Sequence, residues 1–205
     1  MGTDGAAPRK SAALRPRRGV PHETRGRLIA AAAALFNREG FYGTDSNEIA
    51  KAAGYSTGVF YKHFKDKREI FLAAYEQWSL TEWQRVAAVL AEGGSERKLA
   101  QRLVLMFIEM HTEWRGLLAS LRQLVVTDRT VRRFHRRQRK RQLERMAALR
   151  AQRRLRPRPP EEDLVYLWTT ERAFDAIAMG EVGDLGLDRV LVIDAMVERT
   201  LEALG

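Results

Sequence analysis

Between residues 44 and 67 the chain sets out hydroxyl, amide, imidazole and ammonium groups at the spacing of two short helices: Thr44, Asn47, Ser56, Thr57, Tyr61, Lys62, His63 and Lys67. Donors of this kind suit phosphate oxygens, which position a protein on a duplex, and the smaller ones also suit base edges, which specify sequence. Ser56, Thr57 and Gly58 open the second helix, where a small polar surface lets backbone approach a groove and helix N–H groups favour a phosphate. Val59 and Phe60 are expected to divide between the groove and the core. Gly54 permits a sharp turn after Ile49-Ala50, and Asp45 with Glu48 has capping-box spacing, although Ser or Thr more often heads that motif. Two short helices joined by a Gly-containing turn make a helix-turn-helix.

Catalytic chemistry has little to work with. The chain contains no cysteine, which removes thiol nucleophiles, disulfides and thiolate zinc sites. His63 has no second ligand pattern beside it. In Glu109-x-His111-x-Glu113 the residues stand two apart and do not share a helix face. Lys10-Ser11 lacks the preceding glycine of a phosphate loop. We therefore expect no enzyme, no metal and no cofactor, and take His111 as a core or pocket-wall histidine.

The elements that must position these groups follow from composition. The chain has 205 residues, 36 Lys+Arg against 26 Asp+Glu, and a net charge of +10, a balance that points toward polyanions. No run of about 18 apolar residues exists, as a membrane span would need. Residues 1–21 have no apolar stretch after their basic residues, so a cytoplasmic location is expected. Prolines stand at positions 8, 16, 21, 157, 159 and 160, and none falls between His22 and Arg156. Proline inside a helix costs about 3 kcal/mol, so this gap is what an all-α body would show. Apolar periodicity predicts helices over 23–38, 46–53, 57–64, 67–91, a segment after Ser95, 117–126, 129–152, 161–179 and 188–204.

The string Thr44-x4-Ile49-Ala50-x2-Ala53-Gly54-Tyr55-Ser56-x-Gly58-x-Phe60-Tyr61-x-His63-Phe64-x-Asp66-Lys67-x-Glu69, preceded by Phe36-x3-Gly40-Phe41, resembles the DNA-binding domain of the tetracycline-repressor (TetR) family. The resemblance covers residues 25–71; beyond it only helix number, length and order correspond. It implies a basic tail (1–21), a three-helix DNA-binding domain (22–68) and a ligand-binding and dimerisation domain (69–205), about nine helices in all, acting as a homodimer on a pseudo-palindromic operator. Carried over by position, Ser56, Thr57 and Val59 face the groove, Asn47 reaches a base, and Thr44, Tyr61, His63 and Lys67 contact phosphate. Ser46, Tyr55 and Val59 stand where the family more often has other residues, which leaves the operator sequence open.

The same resemblance implies a small-molecule pocket, of unknown effector, among the later helices. Its candidate residues are Trp78, Phe107, Met110, His111, Trp114, Gln123, Trp168, Glu171 and Phe174. A buried Glu171 or Asp175 would need a partner or favour a cationic ligand. The last two long helices read as a dimer seam through Leu164, Leu167, Trp168, Val190, Ile193, Met196, Val197 and Leu201. Residues 129–158 carry 14 Lys+Arg and one acid, Glu144. By default such a run is a solvated face; an anionic partner or a steering field is the functional reading. The function expected is a ligand-released repressor. The rival is a non-specific, architectural DNA-binding protein using the tail and the basic helix.

Overall fold

The computed structural model describes residues 21–204. The basic tail expected over residues 1–21 lies, up to residue 20, outside the described residues, and Pro21 already begins α1. The elements are α1 (Pro21–Glu39), α2 (Ser46–Ala52), α3 (Thr57–His63), α4 (Lys67–Ala91), α5 (Glu96–Glu113), α6 (Arg115–Thr127), α7 (Arg129–Gln152), α8 (Pro160–Met179), α9 (Glu181–Asp184) and α10 (Arg189–Leu204). Among the described residues the fold is all-α. One element was not expected, the single turn α9 that follows Gly180, whose φ of 83° ends α8. Four residues are too few to show a helical period.

The helix starts are written in short polar side chains. Asp45 Oδ1 accepts from the Asn47 and Glu48 backbone N–H groups at 2.7 and 2.8 Å, and Glu48 Oε2 accepts from Asp45 N at 3.0 Å, a complete capping box with Asp at its head. Asp66, Ser95 and Asp128 cap α4, α5 and α7 by side-chain acceptance alone, without the reciprocal bond. After α2, Gly54 N donates to Lys51 O at 3.0 Å and Tyr55 N to Ala50 O at 2.8 Å. That pairing is a Schellman stop, and the φ of 80° at Gly54 is one that a side chain would resist.

The N-terminal helices close around an aromatic cluster. Phe36, Phe60, Phe64 and Phe71 are fully buried; Phe36 meets Phe71 edge-on at 5.1 Å and lies 5.8 Å from Phe41. Because Phe36 belongs to α1 and Phe71 to α4, the contact seats the first three helices on the base of the long fourth. At 25 residues, α4 is about 38 Å long. It runs from that base into the C-terminal bundle, where α5 packs on α8 and α10.

A second joint lies between α1 and the α5–α6 corner. Asn37 Nδ2 donates to Glu113 O at 2.7 Å, and Asn37 Oδ1 accepts from Gly116 N and Leu117 N at 3.0 and 3.2 Å. Four residues along, Phe41 N donates to Ser120 Oγ at 3.0 Å. Asn37 thus takes up free backbone groups at both ends of the corner, one carbonyl of α5 and two N–H groups of α6.

The basic helix α7 has a polar inner face. Its buried residues are Val131, Gln138, Gln142 and Arg150. Arg139 pairs with Glu171, Arg141 with Glu76 and Arg150 with Asp163, and Arg132 donates to carbonyls at the end of α6. Arg129, Arg133, Arg136, Arg137 and Lys140 are exposed. Charge on this helix therefore serves both purposes, a solvated outer stripe and a set of ties into the bundle.

Candidate nucleic-acid interface and effector cavity

α3 presents a small polar head. Ser56 and Gly58 are exposed, Thr57 and Val59 half-buried, and Phe60 is wholly buried, so the expected division between Val59 and Phe60 is what the helix displays. Ser56 begins α3 without turning its hydroxyl back to cap it, which leaves that group free. Thr57 Oγ1 donates to Asn47 Oδ1 at 2.8 Å, fixing α2 against α3 and leaving the Asn47 amide N–H groups outward. Tyr61 and Lys62 are exposed and His63 half-exposed. Tyr61 packs edge-on to Phe60 at 5.2 Å, so its ring is oriented even though it is 56% exposed.

Two of the expected phosphate contacts are placed differently. Thr44 is buried at 2% exposure, and its hydroxyl donates to Gly40 O at 2.9 Å, so its side chain closes the end of α1 instead of facing a ligand. Lys67 donates to Phe41 O and Thr44 O, both at 2.7 Å, and lies over the Phe41 ring at 4.4 Å. Burial pulls its ammonium below the ordinary lysine value, while Asp45 and Glu48 pull the other way. Two of its three N–H bonds are spent on the α1–α2 loop, leaving one for an anion. Tyr42, 63% exposed on that loop, joins this surface and was missed, because one aromatic in a loop carries no periodic signal.

In the bundle, a cavity of about 110 Å³ lies among α4, α5, α7, α8 and α10. Of the residues expected to line a pocket, Phe107, His111, Glu171 and Phe174 do so. Trp78 and Met110 are buried core beside it, with Trp78 stacked on Tyr75 at 5.6 Å. Trp114 is half-buried at the α5–α6 corner, Gln123 is exposed, and Trp168 is 58% exposed; these three are corrections. Sequence reading missed Glu82, Trp83, Gln142, Arg150, Tyr166 and Thr170. Glu82, Trp83 and Val86 do recur at helical spacing on α4, but polar lining on a polar-faced helix mimics a solvent stripe.

The buried acids are tied down, with one exception. Asp175 receives His111 Nδ1 at 2.9 Å on one oxygen and Arg122 on the other. Burial alone would raise its carboxyl, but the His111 hydrogen bond and the Arg122 charge outweigh this and hold it below the usual value. A depressed carboxyl contributes stability that is full above the unfolded pKa and fades as pH falls through the folded one. Asp175→Asn should therefore lose about 2 kcal/mol at neutral pH and flatten the acid limb of the stability curve below about pH 4. Urea melts of both proteins at several pH values check it; parallel curves would exclude the pair from acid sensitivity. Glu171 is held by Arg139 through two hydrogen bonds of 2.6 and 2.7 Å, and Asp163 by Arg150 at 3.3 Å. Glu82 makes no hydrogen bond or ion pair among the described residues, and its Oε2 is sealed without a partner.

The dimer-seam residues divide. Met196 and Val197 are buried within the chain, where α10 packs on α5, so they are not available to a second copy. Leu164, Leu167, Ile193 and Leu201 are half-buried. Trp168 and Val190 are exposed, and Val165, Met179, Leu185, Leu187 and Leu191 join them as large exposed apolar side chains on α8, the α9 turn and the start of α10. The amphipathic stripe read from sequence was real, but most of it serves the chain's own bundle.

Residues 28–74, the three helices and the base of α4 just described, match the sequence model of the bacterial regulatory proteins of the tetR family. This N-terminal segment is a TetR-family DNA-binding domain. Its N-terminal part is 45% identical over 60 residues to the HTH-type transcriptional regulator AcrR of Shigella flexneri, covering 29% of this chain and 26% of that protein. The chain spans about a quarter of the length of the curated relatives it matches. The TetR fold extends over nearly the whole chain. A Rhodococcus structure described as a TetR-family transcriptional regulator superposes with a TM-score of 0.72 at 20% identity, covering 90% of this chain and all of that one. FadR of Thermus thermophilus, a TetR-family repressor solved with lauroyl-CoA, gives 0.60 at 23% identity, with 88% and 95% covered. Among the described residues no helix is long and apolar enough to cross a membrane, and no three His, Asp or Glu residues cluster as metal ligands would.

Proposed function

We propose that this chain is a sequence-specific DNA-binding regulator of the TetR family that works as a homodimer and is released from its operator by a small molecule in the bundle cavity. The observation that carries the DNA half is the polar start of α3, exposed at Ser56 and Gly58 with Thr57 half-buried between them, held on a buried Phe60. Two such helices enter successive major grooves about 34–36 Å apart. The exposed apolar strip through Val165, Trp168, Met179, Leu187 and Val190 is the seam that would join two copies about a two-fold axis. Release needs only a difference in ligand affinity between the two arrangements of the heads, and coupling of roughly 1–3 kcal/mol shifts DNA affinity 5- to 150-fold. The path is physical: α4 and α5 line the cavity, α4 carries the head, and the α5–α6 corner is bonded to α1.

The rival, non-specific reading gains less support. The outward arginines of α7 form a diffuse stripe, whereas α2 and α3 present a shaped polar surface. In vitro selection from random duplex DNA tests the choice. A palindromic winner bound at least about 1,000-fold tighter than scrambled DNA at physiological salt is the expected result; absence of any enriched sequence counts against it. On that probe, Tyr61→Ala should weaken binding to all operator variants alike. Thr57→Ala should change the preference at one base pair by about 1–3 kcal/mol. Uniform losses for both variants would sink the assignment of Thr57 to base reading.

A further inference from the structure

We propose that the bundle cavity takes an apolar organic cation, a quaternary ammonium or protonated amine, whose charge rests at the Glu82 carboxyl against aromatic walls. The proposal rests on the effector reading above and names the chemistry of the effector.

Every other buried acid of this half has its cation: Asp163 has Arg150, Asp175 has His111 and Arg122, and the half-buried Glu171 has Arg139. Glu82 is 9% exposed, lines the cavity and is unpartnered. The two guanidinium groups close enough to influence it are committed elsewhere. Arg139 is forked onto Glu171, and Arg145 lies over the Trp83 ring at 5.5 Å. A lone carboxyl in an apolar cavity is costly to keep, and a ligand cation supplies what the chain leaves out. The rest of the wall suits such a ligand. Trp83, Phe107, Tyr166 and Phe174 line it with aromatic rings, Phe107 stacked on Phe174, and Val86 and Leu103 offer apolar contact. Quaternary ammonium groups are recognised by aromatic rings in just this way.

An anionic ligand is the competing chemistry, because the half-buried Arg153 at the end of α7 lines the cavity, as does Arg150, whose Nη1 has no partner. Arg150 Nη2, however, meets Asp163 and donates to Ala203 O at 2.6 Å, so the Arg150 charge is already answered. Glu82 has no such answer.

Protonation is linked to occupancy. Burial, with Glu171 adding to it and Arg139 and Arg145 opposing, pushes the Glu82 carboxyl up to about 8. The other titratable and charged groups that reach this part of the bundle are Tyr75 on α4, His111 on α5, Arg150 and Arg153 at the end of α7, and Glu171 and Tyr166 on α8. At neutral pH the empty cavity holds the neutral acid, and a permanently charged ligand must displace that proton. Its affinity should fall by up to tenfold per pH unit below about 8, and level off above it.

The test is calorimetric titration of the full chain, without DNA, by octyltrimethylammonium, octanoate and octanol. The ammonium should bind at least about tenfold tighter than either of the others at pH 8. Glu82→Gln should bring ammonium and octanol to within about twofold of each other and remove the pH dependence. A thermal melt of Glu82→Gln shows that the fold persists, since the substitution replaces a neutral acid by a neutral amide of the same shape. Tighter binding of octanoate, undiminished ammonium binding by Glu82→Gln, or no binding of the ammonium would each overturn the proposal. A separate titration of the protein–operator complex tests the effector reading. Ammonium that binds the free chain but leaves DNA bound would leave the cation site standing and remove its role in release.

Discussion

Gly116→Ala is expected to weaken operator binding by a factor of tens while leaving most of the helical bundle folded. Local propensity alone predicts the opposite sign, since alanine in place of glycine in a helix is worth up to about 1 kcal/mol. Geometry decides against it. A Cβ at Gly116 would sit 2.8 Å from the carbonyl carbon of Asn37 and closer still to its oxygen. Those are backbone atoms of α1, which no rotamer change can move aside. The α5–α6 corner must back away from α1, and the hydrogen bonds from Gly116 N and Leu117 N to Asn37 Oδ1 lengthen with it. Overpacking of this kind costs about 1–3 kcal/mol. A shift of the head relative to the body would be felt in full by the proposed dimer, which must place two recognition helices at a fixed spacing. Fluorescence anisotropy with the selected operator, alongside urea melts, separates the two losses. Operator affinity unchanged from the parent protein would mean that the corner does not set head position.

This corner and the base of α4 are the two routes between cavity and DNA surface. Phe107 and His111 on α5 line the cavity, and Glu113 O at the end of the same helix receives Asn37 Nδ2. Glu82, Trp83 and Val86 on α4 line it as well, about three to five turns from Lys67 and Phe71 at the head. A ligand that moves either wall pulls on a helix already bonded to the DNA-binding domain. The α1–α6 joint is the stiffer route, because its contacts are directional hydrogen bonds, whereas aromatic packing tolerates small sliding.

How far the sequence could be read follows the same division. Helix boundaries were legible where a single side chain made them: Ser95 and Asp128 as caps, Gly54 and Gly180 as stops. The helix-turn-helix was legible because its demands are local, a small head at Ser56-Thr57-Gly58 and a buried Phe60 one turn on. Thr44 and Lys67 were misplaced for a reason no spacing reveals. Their polar groups are consumed by carbonyls at Gly40, Phe41 and Thr44 that come near only once α1, α2 and α4 are assembled. The cavity was half legible. The resemblance placed Phe107 and His111 among its pocket residues, but Gln142 and Arg150 face inward from a helix whose sequence looks solvated throughout. Met196 and Val197 show the converse: an amphipathic stripe announces burial without saying whether the partner is the same chain or another.

Phe36→Ala should be the most destabilising single change in the head. Phe36 has no exposed surface and packs on Phe41 and edge-on to Phe71, so truncation removes a full aromatic volume at the one point where α1, the α1–α2 loop and α4 meet. Such cavities cost about 3–5 kcal/mol, against a total stability of roughly 5–15 kcal/mol. For a chain of this length that lowers Tm by roughly 10 °C or more. Tyr42→Ala is the fitting control: it is as close in sequence, but 63% exposed, and should move stability by less than about 0.5 kcal/mol. The two variants should also part in function, since Tyr42 stands on the proposed DNA-binding surface and Phe36 beneath it. Tyr42→Ala should lose DNA affinity at unchanged stability, and Phe36→Ala should lose both together. A Phe36→Ala protein that melts within about 1 kcal/mol of the parent would show that hydrogen bonds at Asn37, and not the aromatic cluster, hold the head to the body.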